Sequence, residues 1–154
     1  MDETDFKILK ILQEKARIPN VEVARTIGMA PSAVLERIKK LESRGIISGY
    51  EVRLNAKCFN QSLIAFIQIK LNAPSQTEQI AEALHQYEEI QEIHYISGED
   101  CLLVKIRISN GEELQKIINE KITLIKGIES TRSFIALSTY KESSRFPLTE
   151  TSPS

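Results

Sequence analysis

The residues best suited to chemistry lie in one short stretch, from Pro31 to Gly45. The spacing of its apolar residues predicts a helix whose opposite face is polar and basic. We predict that the first half of this helix reaches the base edges of DNA and that the second half meets phosphates. The predicted base contacts are Ser32, Ala33, Glu36 and Arg37, and the predicted phosphate contacts are Lys39, Lys40 and Arg44.

Two of these side chains suit particular bases, and each has a plainer alternative. Glu36 could accept a hydrogen bond from the amino group of cytosine, and Arg37 could pair with guanine. The whole helix could instead be a solvated amphipathic helix that binds nothing. Arg37 could also form an ion pair within its helix or with a neighbouring helix, for example with the carboxylate of Glu42.

The preceding residues predict two further helices that would hold the basic helix in place. Asp2 is suited to cap the first helix, Gly28 to make a tight turn after the second, and Pro31 to open the third. The order of these elements predicts a helix-turn-helix, in which a helix is followed by a short helix, a glycine turn and the basic helix. The expected apolar positions are Phe6, Ile8, Leu9, Ile11, Leu12 and Ala16, then Val21, Val23, Ala24 and Ile27, then Val34, Leu35, Ile38 and Leu41.

The second part of the chain predicts a separate α+β fold. Apolar alternation and turn residues indicate the order β-α-β-β-α-β, which is the ferredoxin-like arrangement. The predicted strands are 63–71, 92–97, 101–108 and 128–140, with helices starting near Pro74 and Gly111. Both helices would cover one face of the sheet. The other face would carry Phe66, Ile96 and Leu103, an apolar surface suited to a homodimer.

These patterns divide the chain into four segments. We predict a helix-turn-helix, winged or not, over 1–45, a linker strand over 46–61 in which the alternating apolar residues of the strand lie over 46–54, a ferredoxin-like dimerisation and effector domain over 62–140, and a disordered tail over 141–154. Residues 1–55 carry ten basic and eight acidic side chains, whereas residues 56–154 carry ten and thirteen. The modest positive excess therefore belongs to the segment that is expected to bind DNA.

Composition narrows the classes of protein to consider. Apolar residues make up 42% and charged residues 27% of the chain, as in globular proteins. Cys58 and Cys101 are isolated, so neither a disulfide scaffold nor a zinc site is indicated. No apolar run approaches the length of a membrane helix, about 20 residues. We expect a cytoplasmic protein without a membrane partner, a metal or a cofactor.

Several segments resemble one known family. The similarity is carried by residues 1–9, 16–18, 20–24, 27–32, 35–42 and 45–50, and it extends over almost all of 1–141. These segments are similar to the opening, turn, recognition helix and exit of the Lrp/AsnC (feast/famine) regulators. The resemblance implies binding to double-stranded DNA and a homodimer that assembles further into tetramers or octamers. It also implies a small effector, commonly an amino acid. Pro19 and Ala30 stand where the family usually has serine, so we expect Asn20 to cap the second helix instead.

The resemblance places the effector near the hairpin at Gly98 and near the start of the last strand. The residues implied are His94, Gly98, Glu99, Asp100, Thr131 and Ser133. Carboxylates could hold an ammonium group, while hydroxyls and the backbone N–H groups near Gly98 could hold a carboxylate. The family commonly reads Gly-x-x-Asp-Tyr here, but Cys101 and Leu102 occupy the last two positions. An amino acid, a different ligand and no ligand therefore all stay open.

Two other functions compete with a DNA-binding regulator. Sirohaem decarboxylases resemble the same two-domain plan, and the second domain offers His94, Lys105, Arg107 and Arg132 to a tetrapyrrole. The chain has no clustered histidine and arginine motif in the hairpin region, which speaks against that enzyme. A co-regulator that binds ligand but does not read DNA is the other alternative. The basic cluster of the third helix argues against it.

Overall fold

The computed structural model describes residues 1–148, which form two compact units. The first unit comprises Met1–Arg53 together with residues 142–148, and the second comprises Leu54–Lys141. The first contains α1 (Glu3–Glu14), α2 (Asn20–Ile27) and α3 (Pro31–Ser43). The order and approximate bounds of these helices agree with the predicted helix-turn-helix.

Local sequence explains where the first helix begins. Asp2 and Asp5 form a reciprocal capping box in which the side chain of each accepts from the backbone N–H of the other. Neither α2 nor α3 has such a cap, because Pro19 and Ala30 stand at their N-cap positions and make no side-chain hydrogen bond. Asn20 is the first residue of α2, so the prediction that it caps this helix is wrong. Gly28 ends α2 in the left-handed region at φ 73°, as predicted.

A small apolar core holds the three helices together. Its buried members are Ile8, Leu12, Val23, Ala24, Val34, Ile38 and Leu41. Three predicted apolar positions are exposed instead: Ala16, Val21 (54% exposed) and Leu35 (41% exposed). A fourth, Phe6, is buried but lies outside this cluster. A stripe read from sequence has no sharp edge, so a residue at its border faces either the core or the solvent according to how the neighbouring helices pack.

The predicted strand over 46–54 is not formed in the structure, where these residues have neither helix nor strand hydrogen bonding. Alternation of apolar side chains does not make a strand unless a second strand supplies hydrogen bonds. Within residues 1–148 no segment pairs with this one. A short 3₁₀ helix, Ala56–Phe59, follows it.

The second unit has the predicted ferredoxin-like topology. Its elements are β1 (Leu63–Leu71), α4 (Thr77–His85), β2 (Ile90–Ile96), β3 (Cys101–Ile108), α5 (Gly111–Ile117) and β4 (Ile128–Ile135). The antiparallel sheet has the strand order β2-β3-β1-β4. A 3₁₀ turn, Pro74–Gln76, precedes α4, and a π-helical turn, Ile118–Ile122, continues α5. The last strand ends at Ile135, earlier than the predicted Tyr140.

Both helices pack on one face of this sheet. Its core includes Ala65, Ile67, Ile69, Leu102, Val104 and Ile106 from the strands, with Ile80, Leu84, Leu114, Ile117 and Ile122 from the helical segments. Because side chains alternate along a strand, the intervening residues face the opposite side, called here the outer face. Phe66, Leu103 and Ile96 lie on the outer face, as predicted, and Phe134 of β4 joins them.

The end of the chain makes defined contacts within the first unit. Residues 141–148 contain no helix or strand. The side-chain amide of Gln13 nevertheless hydrogen bonds with both backbone groups of Phe146, accepting from its N–H at 2.7 Å and donating to its carbonyl at 3.3 Å. Disorder of the tail stays a prediction, and residues 149–154 lie outside the described part of the chain.

Candidate nucleic-acid interface

The turn at Gly28 and the apolar core fix which side of α3 faces outward. Val34, Ile38 and Leu41 are buried, so the opposite side of the helix is turned to solvent. Of the predicted contacts, Ala33 is half-buried and the following are exposed: Ser32, Glu36, Lys39, Lys40 and Arg44. The structure therefore brings most of the predicted DNA-contacting residues together on one accessible face.

The charges on this face are not used within the protein. Among residues 1–148, the side chains of Lys39, Lys40 and Arg44 make no ion pair or hydrogen bond, and neither does Glu36. Elsewhere in the first unit, Lys7 pairs with Glu3 on α1. Cations left without an internal partner can neutralise phosphates without first breaking an ion pair.

Arg37 does not belong to this exposed set. Its Nη1 lies 2.7 Å from Asp2 Oδ2 and 2.8 Å from Asp5 Oδ1, so the guanidinium is bound to the capping box of α1. The backbone N–H of Asp5, followed by the Arg37 guanidinium, lowers the pKa of Asp2. The hydrogen bonds to Asp2 and Asp5 raise the pKa of Arg37. The structure thus favours a neighbouring-helix ion pair over a base contact for Arg37.

Glu42, the partner suggested from sequence for Arg37, has a different role. Its carboxylate accepts a hydrogen bond of 3.0 Å from the hydroxyl of Tyr50, in the segment that follows α3. Partial burial, followed by this contact with Glu42, raises the pKa of Tyr50. The ion-pair partners of Arg37 lie more than thirty positions away in the chain, where helical spacing offers no signal.

The residues predicted for an effector lie on two sides of the second unit. His94 pairs with Leu103 across the strands and lies on the outer face, with its Nε2 3.3 Å from Glu92 Oε2. Thr131 and Ser133 are paired with Ile69 and Ile67, whose side chains are buried under the helices. By this register, the two hydroxyl residues share the helix-covered face rather than the outer face. A single chain does not assemble the predicted set into one site.

The turn between β2 and β3 has its own polar contacts. Gly98 and Asp100 both adopt positive φ, 109° and 46°, so the turn is tightly bent. The Gln68 side chain donates to Glu99, and the Tyr95 hydroxyl donates to Asp100 Oδ1 at 2.9 Å. The Asp100 contact, followed by desolvation, raises the pKa of Tyr95. Both carboxylates proposed to hold an ammonium group already accept hydrogen bonds.

Cys101 is the first residue of β3 and lies beside Gln68 of β1. Cys101 is buried, with its Sγ 3.4 Å from Gln68 Nε2.

At the other end of the sheet, an open depression is lined by Gln61, Gln86, Tyr87, Glu88, Glu89, Gln91, Arg107, Glu113 and Lys121. Its charges are largely engaged with each other, since Lys121 pairs with Glu89 and lies 5.3 Å from the ring centre of Tyr87. Sequence periodicity gave no signal for this depression.

Other site types find no support in residues 1–148. No group of three or more histidine, cysteine or acidic side chains is arranged to hold a metal ion there. No helix in that part of the chain is both long enough and apolar enough to cross a membrane.

Comparison with known protein families gives two matches that together span most of the chain. Residues 1–48 match the model for a winged helix-turn-helix DNA-binding domain. Residues 64–146 match the model for the Lrp/AsnC ligand binding domain. The chain is also similar to the leucine-responsive regulatory protein of Escherichia coli K12, with 37% identity over 147 residues, covering 94% of this chain and 90% of the relative. The leucine-responsive regulatory protein of Klebsiella pneumoniae matches to the same extent.

Solved structures agree with these matches. The AsnC structure of E. coli aligns with a TM-score of 0.86 and 26% identity, covering 94% of this chain and 97% of that one. A transcriptional regulator of Neisseria meningitidis in complex with L-methionine aligns with a TM-score of 0.89 and 28% identity, covering 96% of each chain. A feast or famine regulatory protein of M. tuberculosis, also complexed with L-methionine, aligns with a TM-score of 0.86 and 28% identity, covering 94% of this chain and 97% of that one.

Proposed function

Because the chain belongs to the Lrp/AsnC family of DNA-binding transcriptional regulators, we propose that it binds DNA through the exposed face of α3. Lys39, Lys40 and Arg44 contact phosphates in this proposal, and Ser32, Ala33 and Glu36 approach base edges. The observation that carries it is the group of three cations without an internal partner among the described residues. The match of residues 1–48 to a winged helix-turn-helix DNA-binding domain favours this use of the cations over that of an ordinary solvated helix.

The division of roles along α3 follows from its position in a helix-turn-helix. The N-terminal part of such a helix reaches into the major groove, and residues farther along meet the backbone. Glu36 is exposed and unpaired within residues 1–148, so its carboxylate is available to a cytosine amino group. Arg37 is left out of the proposed contacts because Asp2 and Asp5 bind it.

The proposed DNA-binding form is a homodimer. Phe66, Leu103, Ile96 and Phe134 give the outer face of the sheet an apolar centre, and Phe134 is 49% exposed. A second copy placed on this surface would remove it from water, and two-fold symmetry would present two copies of α3 to one duplex. Half-sites are then expected about 34–36 Å apart or at a multiple of that spacing. Further assembly to tetramers or octamers belongs to the same proposal.

An amino acid is the proposed effector, supported by the L-methionine complexes of two structural neighbours. The β2–β3 turn is the proposed location, since Glu99 and Asp100 can accept from an ammonium group. A ligand there would compete with Gln68 for Glu99 and with Tyr95 for Asp100. It would regulate only if it bound two assembly or DNA-binding states with different affinity. The relatives named above are regulators, so the sirohaem-decarboxylase alternative gains no support from them.

Salt-dependent binding to DNA tests the proposal about α3. The probe is a labelled fragment from immediately upstream of the gene, compared with random DNA. The logarithm of the binding constant should fall linearly with the logarithm of salt concentration, with a slope of about −0.9 for each phosphate neutralised. Lys39→Ala/Lys40→Ala should make the slope less negative by about 1.8 for each α3 bound, because two phosphate contacts are lost.

A matched variant separates the local effect from a change in net charge. Lys57→Ala/Lys126→Ala removes two exposed lysines from the second unit and should leave the slope as it is. Equal slopes in the wild type and in Lys39→Ala/Lys40→Ala would refute the assignment to α3. Absence of binding by the wild type at low salt, both alone and with amino acids added, would refute DNA binding itself.

Calorimetric titration with L-methionine and L-leucine tests the effector. Binding is expected, and Glu99→Gln should weaken it because the neutral amide pairs less strongly with an ammonium group. Glu120→Gln, which alters an exposed glutamate on the π-helical turn, is the control. No heat change and no shift in assembly with any of the twenty amino acids would refute the proposal.

A further inference from the structure

Leu35 is the one large apolar side chain on the exposed face of α3, among the described residues. It is 41% exposed, whereas Val34, Ile38 and Leu41 of the same helix are buried in the core. A helix of this amphipathic type usually turns leucine inward. Its exposure leaves an apolar group on this face of α3 available for contact with a partner.

The neighbours of Leu35 are the residues proposed to contact DNA. Ser32 precedes it by three positions and Lys39 follows it by four, so these side chains form one line along the helix surface. Both are exposed. Leu35 is also the fifth residue of α3, within the half that reaches base edges when such a helix enters the major groove. An apolar group is thus placed between a hydroxyl and a cation on the same surface.

One chemical group in the major groove matches an apolar side chain in this position. Base edges present hydrogen-bond donors and acceptors, and the C5-methyl group of thymine is the apolar feature among them. Contact with it removes both the methyl group and part of the leucine from water, which is favourable by the hydrophobic effect. The cations beside Leu35 attract the duplex that carries the methyl group.

We infer that Leu35 contacts a thymine methyl group in the major groove and makes the protein prefer thymine at that position of its site. This inference rests on the proposed function, since it requires α3 to lie in the major groove. It adds a residue that determines specificity by apolar contact, whereas Glu36 and Ser32 act through hydrogen bonds. A protein contact between two copies of the chain is the competing use of the same side chain.

Removal of single methyl groups from the DNA tests the inference. A preferred duplex is first selected by the purified wild-type protein from a randomised DNA pool. Each thymine is then replaced in turn by deoxyuridine, which pairs identically and lacks only the methyl group. The wild type should bind about four-fold more weakly when the contacted methyl is absent, because burial of one methyl-sized group contributes ~0.8 kcal/mol.

Variants of Leu35 identify the protein side of the contact. Leu35→Ala should bind the thymine and deoxyuridine duplexes equally well at that position, with an unchanged salt slope, while Leu35→Met should retain part of the preference. Leu124→Ala, which shortens a 71% exposed leucine in the second unit, should behave as the wild type does. Circular dichroism of each variant verifies that the helices are retained.

Three outcomes would overturn the inference. If no deoxyuridine substitution weakened binding of the wild type, a methyl contact would be excluded. Equal sensitivity in Leu35→Ala would assign the contact to another residue. A change in oligomeric mass of Leu35→Ala, with methyl sensitivity retained, would show that Leu35 contacts a second copy. Failure of the wild type to select any sequence would instead refute the proposed function, and this inference with it.

Discussion

Replacement of Arg37 by alanine should destabilise α1 while leaving sequence preference on DNA intact. The guanidinium bridges the start of α1 to α3 through two short contacts, 2.7 Å to Asp2 and 2.8 Å to Asp5. Removing it would leave two neighbouring carboxylates facing each other without a cation. A residue that read guanine would give the opposite result, with little loss of stability and a relaxed preference at one base pair.

The magnitude follows from the exposure of the groups. The Arg37 side chain is 32% exposed and that of Asp5 is 13% exposed, so the pair is better sheltered than a surface ion pair. Exposed pairs contribute roughly 0.2–1 kcal/mol, and hydrogen bonds to charged groups reach about 1.5–3 kcal/mol when sheltered. We expect Arg37→Ala to cost about 1–2 kcal/mol, of which about 1 kcal/mol should appear as coupling to Asp5.

Hydrogen exchange measured by mass spectrometry on peptides from α1 is suited to this effect, because it reports the first unit separately from the second. A loss of this size corresponds to exchange roughly 5–30-fold faster. A cycle with Arg37→Ala, Asp5→Asn and the double variant gives the coupling energy. Lys40→Ala, on the same helix and without an internal partner, should stay within about 0.5 kcal/mol of the wild type.

Two results would refute this account of Arg37. One is unchanged exchange in α1 together with additive effects of the two substitutions. The other is loss of discrimination at a guanine in the selected site, which for a bidentate contact amounts to about 1–3 kcal/mol. Retained preference with faster exchange would establish Arg37 as a residue that positions the helices.

Three further predictions concern acid, the tail and a strained glycine. The pKa of Asp2 is lowered from its ordinary value of 3.8 in the folded protein, so its stabilising contribution is complete above that value and is lost as the pH falls through the lower folded pKa; the protection of the α1 amides, taken as the intrinsic exchange rate at each pH divided by the observed rate, should fall below about pH 4, and unchanged protection down to pH 2 would contradict this. Gln13→Ala removes both hydrogen bonds to the tail, so trypsin should cleave after Arg145 up to about 30-fold faster, since each bond contributes about 1 kcal/mol; an unchanged rate by mass spectrometry would show that these bonds do not hold the tail. Gly127→Ala should lower the free energy of unfolding in urea by about 1–3 kcal/mol, because the residue has φ +100° and its added Cβ would lie 2.6 Å from a glutamine side-chain oxygen, whereas Gly111→Ala, in open space, should cost less than about 0.5 kcal/mol.

Elements defined by local patterns could be predicted closely. The bounds of β1 and β3 agree with the sequence prediction, and so do the cap at Asp2 and the turn at Gly28. Each depends on residues that are near each other in the chain. The strand predicted over 46–54 was wrong for the complementary reason, since a strand exists only with a partner and no pattern within the segment supplies one.

In the candidate site, too, the orientation of single side chains depends on parts of the chain that are distant in sequence. Leu35 was assigned to the apolar stripe from helical spacing, and the structure turns it outward. The family resemblance groups Thr131 and Ser133 with the hairpin. Their face of the sheet is set by register, since a shift of one residue reverses every side chain. The register depends on all four strands together.

The sequence by itself determined that this protein has a helix-turn-helix, a ferredoxin-like unit and a basic third helix, because capping, turn formation and apolar periodicity act over a few residues. Only the tertiary structure decided which side chains of α3 are free to act. Arg37 is bound by two aspartates at the start of α1, whereas Lys39 and Lys40 have no partner among residues 1–148. Helical spacing orders the residues of one helix, but the partners of a charge come from whichever helix packs beside it.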